Sequence, residues 1–567
     1  ASGKEPTMKV SQILATTCIL ALACSGIASA QSWTPLTNQP VTVGGFDGVG
    51  AMLQLRDGRI LVHHENGTGN LNWGYTDWYY LTPDAFGSYV NGTWSPAGNL
   101  DASYQPLYFS SQTLLSAVNH GNSADCPSGQ QCGQIILEGG EYNANAGVWT
   151  NQGVIGTYAP FNGGTKFTAN NPPTGWPNIG DAAGVILFDG AYLQSSCCNG
   201  PGQQNAMFNG PNSWIPSGNV LTSSTDESGY TLLPNGQVLL VDTKRAPSCP
   251  NPTQSSELYT VTDPVTGVGT WSCGPSIPVL LYGGDEELGS GTMMYNNKLF
   301  QVGGTKNVTA IYDVALNSWS VGPVPAANLS QSDAPSALEP NGKVLGMYSP
   351  GLFENGCYFL EYDPDTNTLT NTTTSLIPQP ADCTPPSHDT SYDGMLMILP
   401  SGQIMFTAFS LYVEVYNPAP GIATWTCNSC VPVQSYPVAA SIALTSPKLI
   451  SASMNNLVYG SRLNGMSQNN FYGDDKQSDT DFPLARLTCV NMPGNTCTPG
   501  YVYYAFTHDD GPAGPNVHSI APTNFGYTHF DLPSMPGGTY DFQTVTNGIP
   551  SNSVSVTVVC RDVRCSQ

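Results

Sequence analysis

One short pattern recurs along most of the chain and constrains its fold more than any other feature. It consists of small residues, an apolar run, a tight turn of the Asp-Gly or Asn-Gly kind, and a second apolar run. The clearest copies read GAMLQLRDGRILVHH, AAGVILFDGAYLQ, GYTLLPNGQVLLVD, GTMMYNNKLFQVGG, PSALEPNGKVLGMY and GMLMILPSGQIMFTA. Two apolar runs around such a turn predict a β-hairpin in each copy.

The number of copies predicts a circular array. Their turn residues are Gly58, Gly190, Gly236, Asn297, Gly342 and Gly402. A seventh copy is interrupted by an inserted loop, with its first strand within 106–115 and its second within 133–140. A third strand and a short fourth strand, which often carries tryptophan, follow the hairpins. Four antiparallel strands repeated seven times predict a seven-bladed β-propeller with tryptophans packed between blades.

The segments on either side of the array complete the predicted fold. We expect a strand around Trp33 to close the ring against blade seven, which removes an exposed sheet edge. After about residue 441 the repeat stops and six or seven strand-like runs follow, in a length that suits an immunoglobulin-like β-sandwich. The sequence therefore predicts an all-β chain, with the propeller over 31–440, the sandwich over 441–560 and a short tail over 561–567.

Composition and the first residues favour a secreted monomer. Only 10% of the residues are charged, whereas Gly and Pro number 61 and 46, which suits short strands joined by turns. The formal charge of -24 repels phosphate backbones and argues against a nucleic-acid partner. Residues 1–30 are predicted to be a leader, with an upstream extension before Met8 and a signal peptide cleaved after Ala28-Ser29-Ala30. A lipoprotein site at Cys24 is the alternative, and no later apolar run could span a membrane.

The cysteine count predicts disulfide bonds. Of the 16 cysteines, Cys18 and Cys24 lie in the leader, and the remaining 14 are an even number in an exported chain. Proximity suggests the pairs Cys126–Cys132, Cys249–Cys273, Cys357–Cys383, Cys427–Cys430, Cys489–Cys497 and Cys560–Cys565. Cys427-x-x-Cys430 could be a redox or zinc motif, but without a second pair at zinc spacing a loop staple is favoured. The adjacent Cys197 and Cys198 form either a vicinal disulfide or two reduced or separately paired thiols.

Phrases in the tail resemble a known family. They are Asn464-Gly465-x-Ser467, Tyr472-Gly473-Asp474-Asp475, Asp481-Phe482-Pro483-Leu484-Ala485-Arg486-Leu487 and Asn547-Gly548-Ile549-Pro550-Ser551. Together with the blades they resemble the galactose oxidase and glyoxal oxidase family, which joins a kelch-type propeller to an immunoglobulin-like domain. The resemblance covers nearly the whole mature chain. It implies a mononuclear copper at the propeller mouth, held by a Tyr cross-linked to a Cys, a Tyr-His pair and a His from the tail.

Counting back from each turn residue identifies the positions of this chain that correspond to these ligands. The Tyr-His pair falls on Tyr392-Asp393, so that aspartate stands in place of histidine. The tail histidine corresponds to His508, and Tyr108 stands at the level of the cross-linked tyrosine, where no cysteine is found. The copper-radical ligand set is therefore predicted to be incomplete, and if the chain is an oxidase, Tyr392 and His508 are its catalytic candidates.

Most blades carry a carboxylate at this same level, and we expect a ring of them at one mouth of the channel. The acids are Asp181, Glu227, Glu287, Asp333 and Asp393, with Asp47 or Val49 at this level in blade one. Like charges this close recruit a cation, and an oxygen-rich site suits Ca²⁺ or Mn²⁺. Including His508 would favour a transition metal, which makes Asp181, Tyr392, Asp393 and His508 the candidate metal ligands. The alternative is that the acids cap the mouth through hydrogen bonds to backbone N–H groups.

Three functional hypotheses follow. The preferred one is binding of a glycan, cell-surface or small-molecule ligand at the acidic mouth, where rings of segment 70–80 could stack on sugars, although at least half of those rings are expected in the core. The second is a divergent copper oxidase that makes an aldehyde or acid plus hydrogen peroxide, with copper held by Tyr108, Tyr392, Asp393 and His508. The third is a metal-dependent lyase or hydrolase that uses paired carboxylates.

Overall fold

The computed structural model of the chain describes most of residues 31–560. The ranges that it leaves out within those bounds are 41–47, 67–72, 116–125, 127–130, 145–146, 148, 199–203, 283–286, 326–327, 352–353, 355, 373–382, 384–389, 428–433, 469, 473–475, 478 and 513–524. The regular structure in the described part is almost entirely β-strand. No helix within it is long and apolar enough to cross a membrane.

The first three blades are four-stranded antiparallel sheets built in sequence order from the channel outward. Blade one consists of β2 (Val49–Gln54), β3 (Ile60–Asn66), β4 (Trp73–Thr82) and β5 (Thr93–Asn99). Blade two consists of β7 (Ser110–Thr113), β8 (Gly133–Glu138), β10 (Gly153–Tyr158) and β11 (Thr165–Ala169), with the short pair β6 (Pro106–Leu107) and β9 (Tyr142–Asn143) beside it. Blade three consists of β12 (Gly184–Ile186), β13 (Tyr192–Ser195), β14 (Asn205–Phe208) and β15 (Trp214–Pro216).

The next three blades repeat this order. Blade four consists of β16 (Tyr230–Leu232), β17 (Val238–Val241), β18 (Ser256–Val261) and β19 (Gly269–Cys273). Blade five consists of β20 (Leu288–Met293), β21 (Lys298–Gly303), β22 (Thr309–Asp313) and β23 (Ser318–Val321). Blade six consists of β24 (Pro335–Leu338), β25 (Val344–Tyr348), β26 (Tyr358–Asp363) and β27 (Thr368–Asn371). The innermost strands of successive blades are neighbours all the way round, from β2 back to β2, so the ring closes.

The hairpin turns explain why the repeat has its characteristic residues. All six predicted turn residues have φ between 63° and 93°, the left-handed region that Gly and Asn tolerate at least cost. The apolar strands on either side of each turn are buried, because the inner strands of a propeller are covered by adjacent blades. The predicted hairpins and the interrupted blade two are confirmed.

Blade seven is closed by the N-terminal segment, as predicted. It consists of β28 (Met395–Ile398), β29 (Ile404–Thr407), β30 (Glu414–Asn417) and, as its outermost strand, β1 (Ser32–Pro35). The register pairs Ser32 with Asn417 and Pro35 with Glu414. The Trp33 ring lies 4.7 Å from that of Phe359 and 5.1 Å from that of Tyr416, measured between centroids, so the closure is anchored by aromatic packing.

One sequence-based assignment is wrong. The repeat predicts that the tryptophan-containing segment ATWTC, which follows the third strand of blade seven, is the fourth strand of that blade, but β31 (Thr424–Cys427) pairs with β32 (Gln434–Pro437) in a separate hairpin. The reason is that β1 already occupies the outer edge of blade seven. In two other blades the tryptophans do link neighbours, since Trp319 Nε1 donates to Ser256 Oγ of blade four at 3.2 Å and Trp214 Nε1 donates to the Asn171 carbonyl at 2.9 Å.

The tail is a curled β-sheet that closes around a core of its own. Its strands are β33 (Ser441–Leu444), β34 (Lys448–Ile450), β35 (Asn456–Ser461), β38 (Leu484–Cys489), β39 (Val502–Pro512), β40 (Phe525–Asp531), β41 (Gly538–Thr546), β42 (Ile549–Pro550) and β43 (Val554–Val559). Side chains from both halves of the sheet, including Val458, Leu487 and Phe542, pack together in that core. The predicted all-β architecture of a seven-bladed propeller followed by a β-sheet domain is confirmed.

A hairpin from the tail reaches into the propeller. It consists of β36 (Asn470–Tyr472) and β37 (Lys476–Gln477), and β36 extends the sheet of blade six by pairing with its innermost strand, Pro335 opposite Tyr472. The backbone of β36 also lies beside β20 and β28, and that of β37 beside β7. Because innermost strands line the channel, this tail hairpin lies inside it.

Candidate functional site

At one end of the channel the predicted acidic positions stand at a common level. The residues Tyr108, Asp181, Glu227, Glu287, Asp333 and Asp393, here called the mouth ring, each lie one to three residues before the innermost strand of their blade. Asp47 lies outside the described residues, and Val49 begins β2. Counting back from the turn residues therefore located one mouth of the propeller, because the innermost strand of every blade enters its hairpin from the same end of the channel.

Three carboxylates of the mouth ring converge. Oxygen atoms of Glu227, Glu287 and Asp333, from blades four, five and six, all lie within 4.8 Å of one another. The three residues are half-buried. Glu227 and Asp333 are held at φ values of 58° and 48°, a backbone conformation that side chains other than glycine rarely adopt and that is concentrated at functional sites.

The other side of the mouth ring is phenolic. Tyr108 is buried at φ 52°, and its ring centroid lies 5.9 Å from that of Tyr142. Burial raises the pKa of Tyr108 well above its ordinary value, and the nearby Asp393 carboxylate and Tyr392 phenol raise it further. Burial also raises the pKa of Tyr142 to about 12, with added effects of Glu141, Tyr392 and Asp181. Both phenols, the buried Tyr108 and the half-buried Tyr142, are therefore protonated at neutral pH.

Asp393 also has a local structural role. It ends a single 3-10 turn, Ser391–Asp393, and its Oδ2 accepts a hydrogen bond from the Thr390 backbone N–H at 3.1 Å. The backbone of Asp333 is tied to blade five by its N–H, which donates to the Leu288 carbonyl at 3.0 Å. One oxygen of Asp393 therefore caps a backbone N–H group, as the alternative interpretation of the acids expects.

Asp181 lies against a pair of adjacent cysteines at the end of β13. Cys197 and Cys198 form a vicinal disulfide, which answers the question that the sequence left open. The Asp181 Oδ1 atom lies 2.7 Å from Cys197 Sγ, and the Asp226 Oδ1 atom lies 2.9 Å from Cys198 Sγ. Sequence reasoning missed Asp226, although it directly precedes Glu227.

His508 is not brought to the mouth ring. Its Nδ1 lies 2.9 Å from Asp509 Oδ2, its Nε2 lies 3.2 Å from Asp531 Oδ1, and its ring stacks on those of Phe506 and His529, so all these partners belong to the tail sheet. Burial acts to lower the pKa of His508, but the two carboxylates outweigh it and raise that pKa. The adjacent Thr507 N–H donates to the carbonyl of Arg56, in the hairpin turn at the far end of β2.

Blade one contributes a buried histidine-glutamate pair, whose glutamate acts on Tyr108. His63 and Glu65 are both fully buried, and His63 Nδ1 lies 2.8 Å from Glu65 Oε1 while its Nε2 lies 2.8 Å from the Tyr75 carbonyl. Glu65 contributes to the raised pKa of Tyr108. In the sequence, the HHE segment in the blade-one copy of the repeat is the feature that indicates this pair.

The aromatic segment 70–80 proves to be mainly core. Trp78, Tyr79 and Tyr80 are buried, as expected for at least half of the rings. Tyr75 is half-buried and stacks on His64, with the ring centroids 3.9 Å apart. The side chain of Trp73 lies outside the described part of the chain.

Five disulfides are present among the described residues. They are Cys126–Cys132, Cys197–Cys198, Cys249–Cys273, Cys357–Cys383 and Cys489–Cys497, which confirms four of the predicted local pairs. Cys430 and Cys565 lie outside the described residues, so pairing of Cys427 with Cys430 and of Cys560 with Cys565 stays a prediction.

Comparisons with known proteins add a fold similarity. No protein-family model matches the chain, and no curated protein matches it. Among solved structures the chain is similar to a novel fungal alcohol oxidase with catalytic diversity among the AA5 family, in complex with copper, at 13% identity and a TM-score of 0.48. The alignment covers 94% of this chain and 100% of that one. The propeller is established by its own strand pairing, independently of this match, and the class of protein is a seven-bladed β-propeller with a C-terminal β-sheet domain.

Proposed function

We propose that this chain is a secreted protein that binds a glycan, or another ligand rich in hydroxyl groups, at the mouth ring. The observation that carries the proposal is the convergence of the carboxylates of Glu227, Glu287 and Asp333 at one mouth of the channel. Secretion is supported by the five disulfides, since disulfides persist in oxidising compartments. We further propose that the protein acts as a monomer.

The chemistry of the mouth ring suits hydroxyl-rich ligands. Ionised carboxylates only accept hydrogen bonds, and sugar hydroxyls can donate to acceptors such as Glu227, Glu287 and Asp333. A hard divalent cation such as Ca²⁺ or Mn²⁺ would suit the same three carboxylates, and ligand hydroxyls could complete its oxygen shell. The half-buried Tyr142, whose ring lies 5.9 Å from that of Tyr108, adds ring surface and a hydroxyl group.

A glycan array tests this proposal, with fluorescently labelled full-length protein. We expect binding to a defined set of oligosaccharides, and the Glu287→Gln variant should lose at least about tenfold of that affinity, since a charge-assisted hydrogen bond is removed. The matched control is Asp365→Asn, an exposed carboxylate in the outer turn of blade six, which should bind as the wild type does. A chelator added to the array decides whether a cation takes part.

No binding to any glycan, or equal binding by wild type and Glu287→Gln, would contradict the proposal. Because Glu287 is half-buried and lies at the channel mouth, its amide variant should retain the fold. Circular dichroism and the thermal unfolding midpoint of the variant check that point before the array is interpreted.

A copper oxidase is the second candidate, favoured by the proximity of Tyr108, Tyr392 and Asp393. The donor set does not fit well, because copper prefers imidazole ligands whereas the described part of the mouth supplies phenols and carboxylates. Among the described histidines, His63 and His508 have both ring nitrogens engaged elsewhere. We therefore derive no reaction step through copper. Stoichiometric copper uptake with peroxide release from alcohols or aldehydes would establish this candidate and overturn the glycan proposal.

A further inference from the structure

The vicinal disulfide and its two carboxylates form a cluster distinct from the three converging acids. Asp181 precedes the innermost strand of blade three, Cys197 and Cys198 follow its second strand, and Asp226 precedes the innermost strand of blade four. One atom from each, two Sγ and two Oδ1, lie within 4.8 Å of one another. Asp181 and both cysteines are buried, and Asp226 is half-buried. We call these four residues the sulfur-carboxylate cluster.

The contacts within this cluster favour the reduced pair. A disulfide sulfur carries no proton, so a carboxylate oxygen 2.7 Å from Cys197 Sγ or 2.9 Å from Cys198 Sγ accepts no hydrogen bond from it. In the dithiol form the same two contacts become S–H···O hydrogen bonds to charged acceptors. Interactions made only by the reduced form make a disulfide easier to reduce.

The local backbone is built around the sulfurs. A Cβ at Gly180 would collide with Cys197 Sγ, and Gly180 has a φ of 64°, so both the space and the conformation at this position call for glycine. Trp176, Ile179, Ala182 and Ala206 pack around the pair in a small apolar core. Asp226 directs Oδ2 to Lys244 Nζ at 3.3 Å, which leaves Oδ1 facing Cys198.

We propose that the reduced sulfur-carboxylate cluster is a binding site for a thiophilic divalent cation such as Zn²⁺. Two thiolates and two carboxylates are a donor set that zinc accepts, at about 2.3 Å for sulfur and about 2.0–2.2 Å for oxygen. Ligand atoms around one such ion lie about 3–4 Å apart. In the disulfide form all four atoms already lie within 4.8 Å of one another, so reduction needs only to let the two bonded sulfurs separate to that spacing. The adjacent acids of the mouth ring raise the local concentration of cations.

Two chemical steps lead to the loaded site. A low-molecular-weight thiol supplies the two electrons: the Cys197–Cys198 bond breaks, two S–H bonds form, and two reductant thiols become one disulfide. The cation then displaces both thiol protons into solvent and binds the two thiolates together with Asp181 and Asp226. Reoxidation removes both thiolate ligands at once, so the site exists only in the reduced protein.

Cobalt uptake tests the proposal, because Co²⁺ replaces Zn²⁺ and its bonds to thiolate absorb in the near ultraviolet. The full-length protein is first reduced with a stoichiometric phosphine, which takes an oxygen atom from water and becomes the phosphine oxide. The reduced protein is then titrated with Co²⁺ under anaerobic conditions. We expect one Co²⁺ per chain with a sulfur-to-cobalt band. Neither the unreduced protein nor the reduced Cys197→Ser, Cys198→Ser double variant should show that band.

The carboxylates are tested separately. Asp181→Asn and Asp226→Asn should weaken Co²⁺ binding by about tenfold or more, while a thiol titration still counts the same two thiols. If the double serine variant does not fold, alkylation of the reduced wild type followed by peptide mass analysis identifies the reduced cysteines instead. The proposal is overturned if the pair resists reduction in the folded protein, if the reduced pair gives no sulfur-to-cobalt band, or if the serine variant gives the same band.

Discussion

The carboxyl group of Asp481 should make the stability of this protein fall as pH rises, and Asp481→Asn should make that fall smaller. Asp481 is buried between the propeller and the tail, with Asp479, Asp510 and the Arg56 guanidinium in the same cluster. Burial raises its pKa to about 7, Arg56 opposes the increase, and Asp510 adds to it. Arg56 is engaged by Asp510 at 2.5 Å, so its charge is shared among several acids.

The magnitude follows from linkage. The carboxyl has a pKa of about 7 in the folded protein and an ordinary value of 3.8. Because the folded state holds this proton more tightly, the stabilisation is fully present below pH 3.8 and is lost as pH rises through about 7. As pH rises from about 5 to about 8, ionisation of this carboxyl group lowers the free energy of unfolding by about 2.5 kcal/mol.

Urea unfolding at these two pH values, followed by circular dichroism, measures the effect. The wild type should lose at least about 2.5 kcal/mol between them, and Asp481→Asn should reduce that loss by about 2.5 kcal/mol, because an amide does not titrate. Asp365→Asn, which changes an exposed carboxylate, should keep the wild-type difference. If Asp481→Asn and the wild type lose the same stability, the assignment of a proton to Asp481 at neutral pH is wrong.

Two further predictions concern closure of the ring and docking of the tail. Trp33→Ala should destabilise the protein by about 3–5 kcal/mol, because it removes the buried ring that anchors the closing strand. The control Val265→Ala, at a position 89% exposed, should change the free energy of unfolding by at most about 0.5 kcal/mol. Denaturant titration checks both, and a small effect of Trp33→Ala would mean that the closing strand is dispensable. Gly58→Ala should lower the free energy of unfolding more than Gly175→Ala does. Both positions have a positive φ, but only at Gly58 would the new Cβ lie 2.5 Å from the Tyr504 ring of the tail. Equal losses in thermal unfolding would show that the tail does not pack on this turn.

The blades could be predicted from the sequence because their information is local. Each hairpin carries its own turn residue and its own two apolar runs, and a left-handed φ at positions such as Gly58 and Asn297 fixes the register of the strands around it. Offsets of about nine or ten residues from these turns then placed the converging Glu227, Glu287 and Asp333 at one level.

Features that depend on distant parts of the chain could not be predicted in this way. Nothing local indicates that Asn470–Tyr472 of the tail pairs with Pro335–Ala337 inside the channel, or that Asp226 meets Cys198 across a blade boundary. The position of His508 was inferred by analogy, and the structure instead places that side chain between Asp509 and Asp531 of the tail sheet. Pairwise contacts of this kind require the assembled ring.

A crystal structure of the protein bound to an oligosaccharide selected on the array tests the central claim most directly. The account predicts that sugar hydroxyls lie within hydrogen-bonding distance of Glu227, Glu287 or Asp333, with the sugar beside Tyr108. A sugar bound only elsewhere, for example in the cleft of about 180 Å³ between Phe161 of blade two and Met454 of the tail, would contradict it.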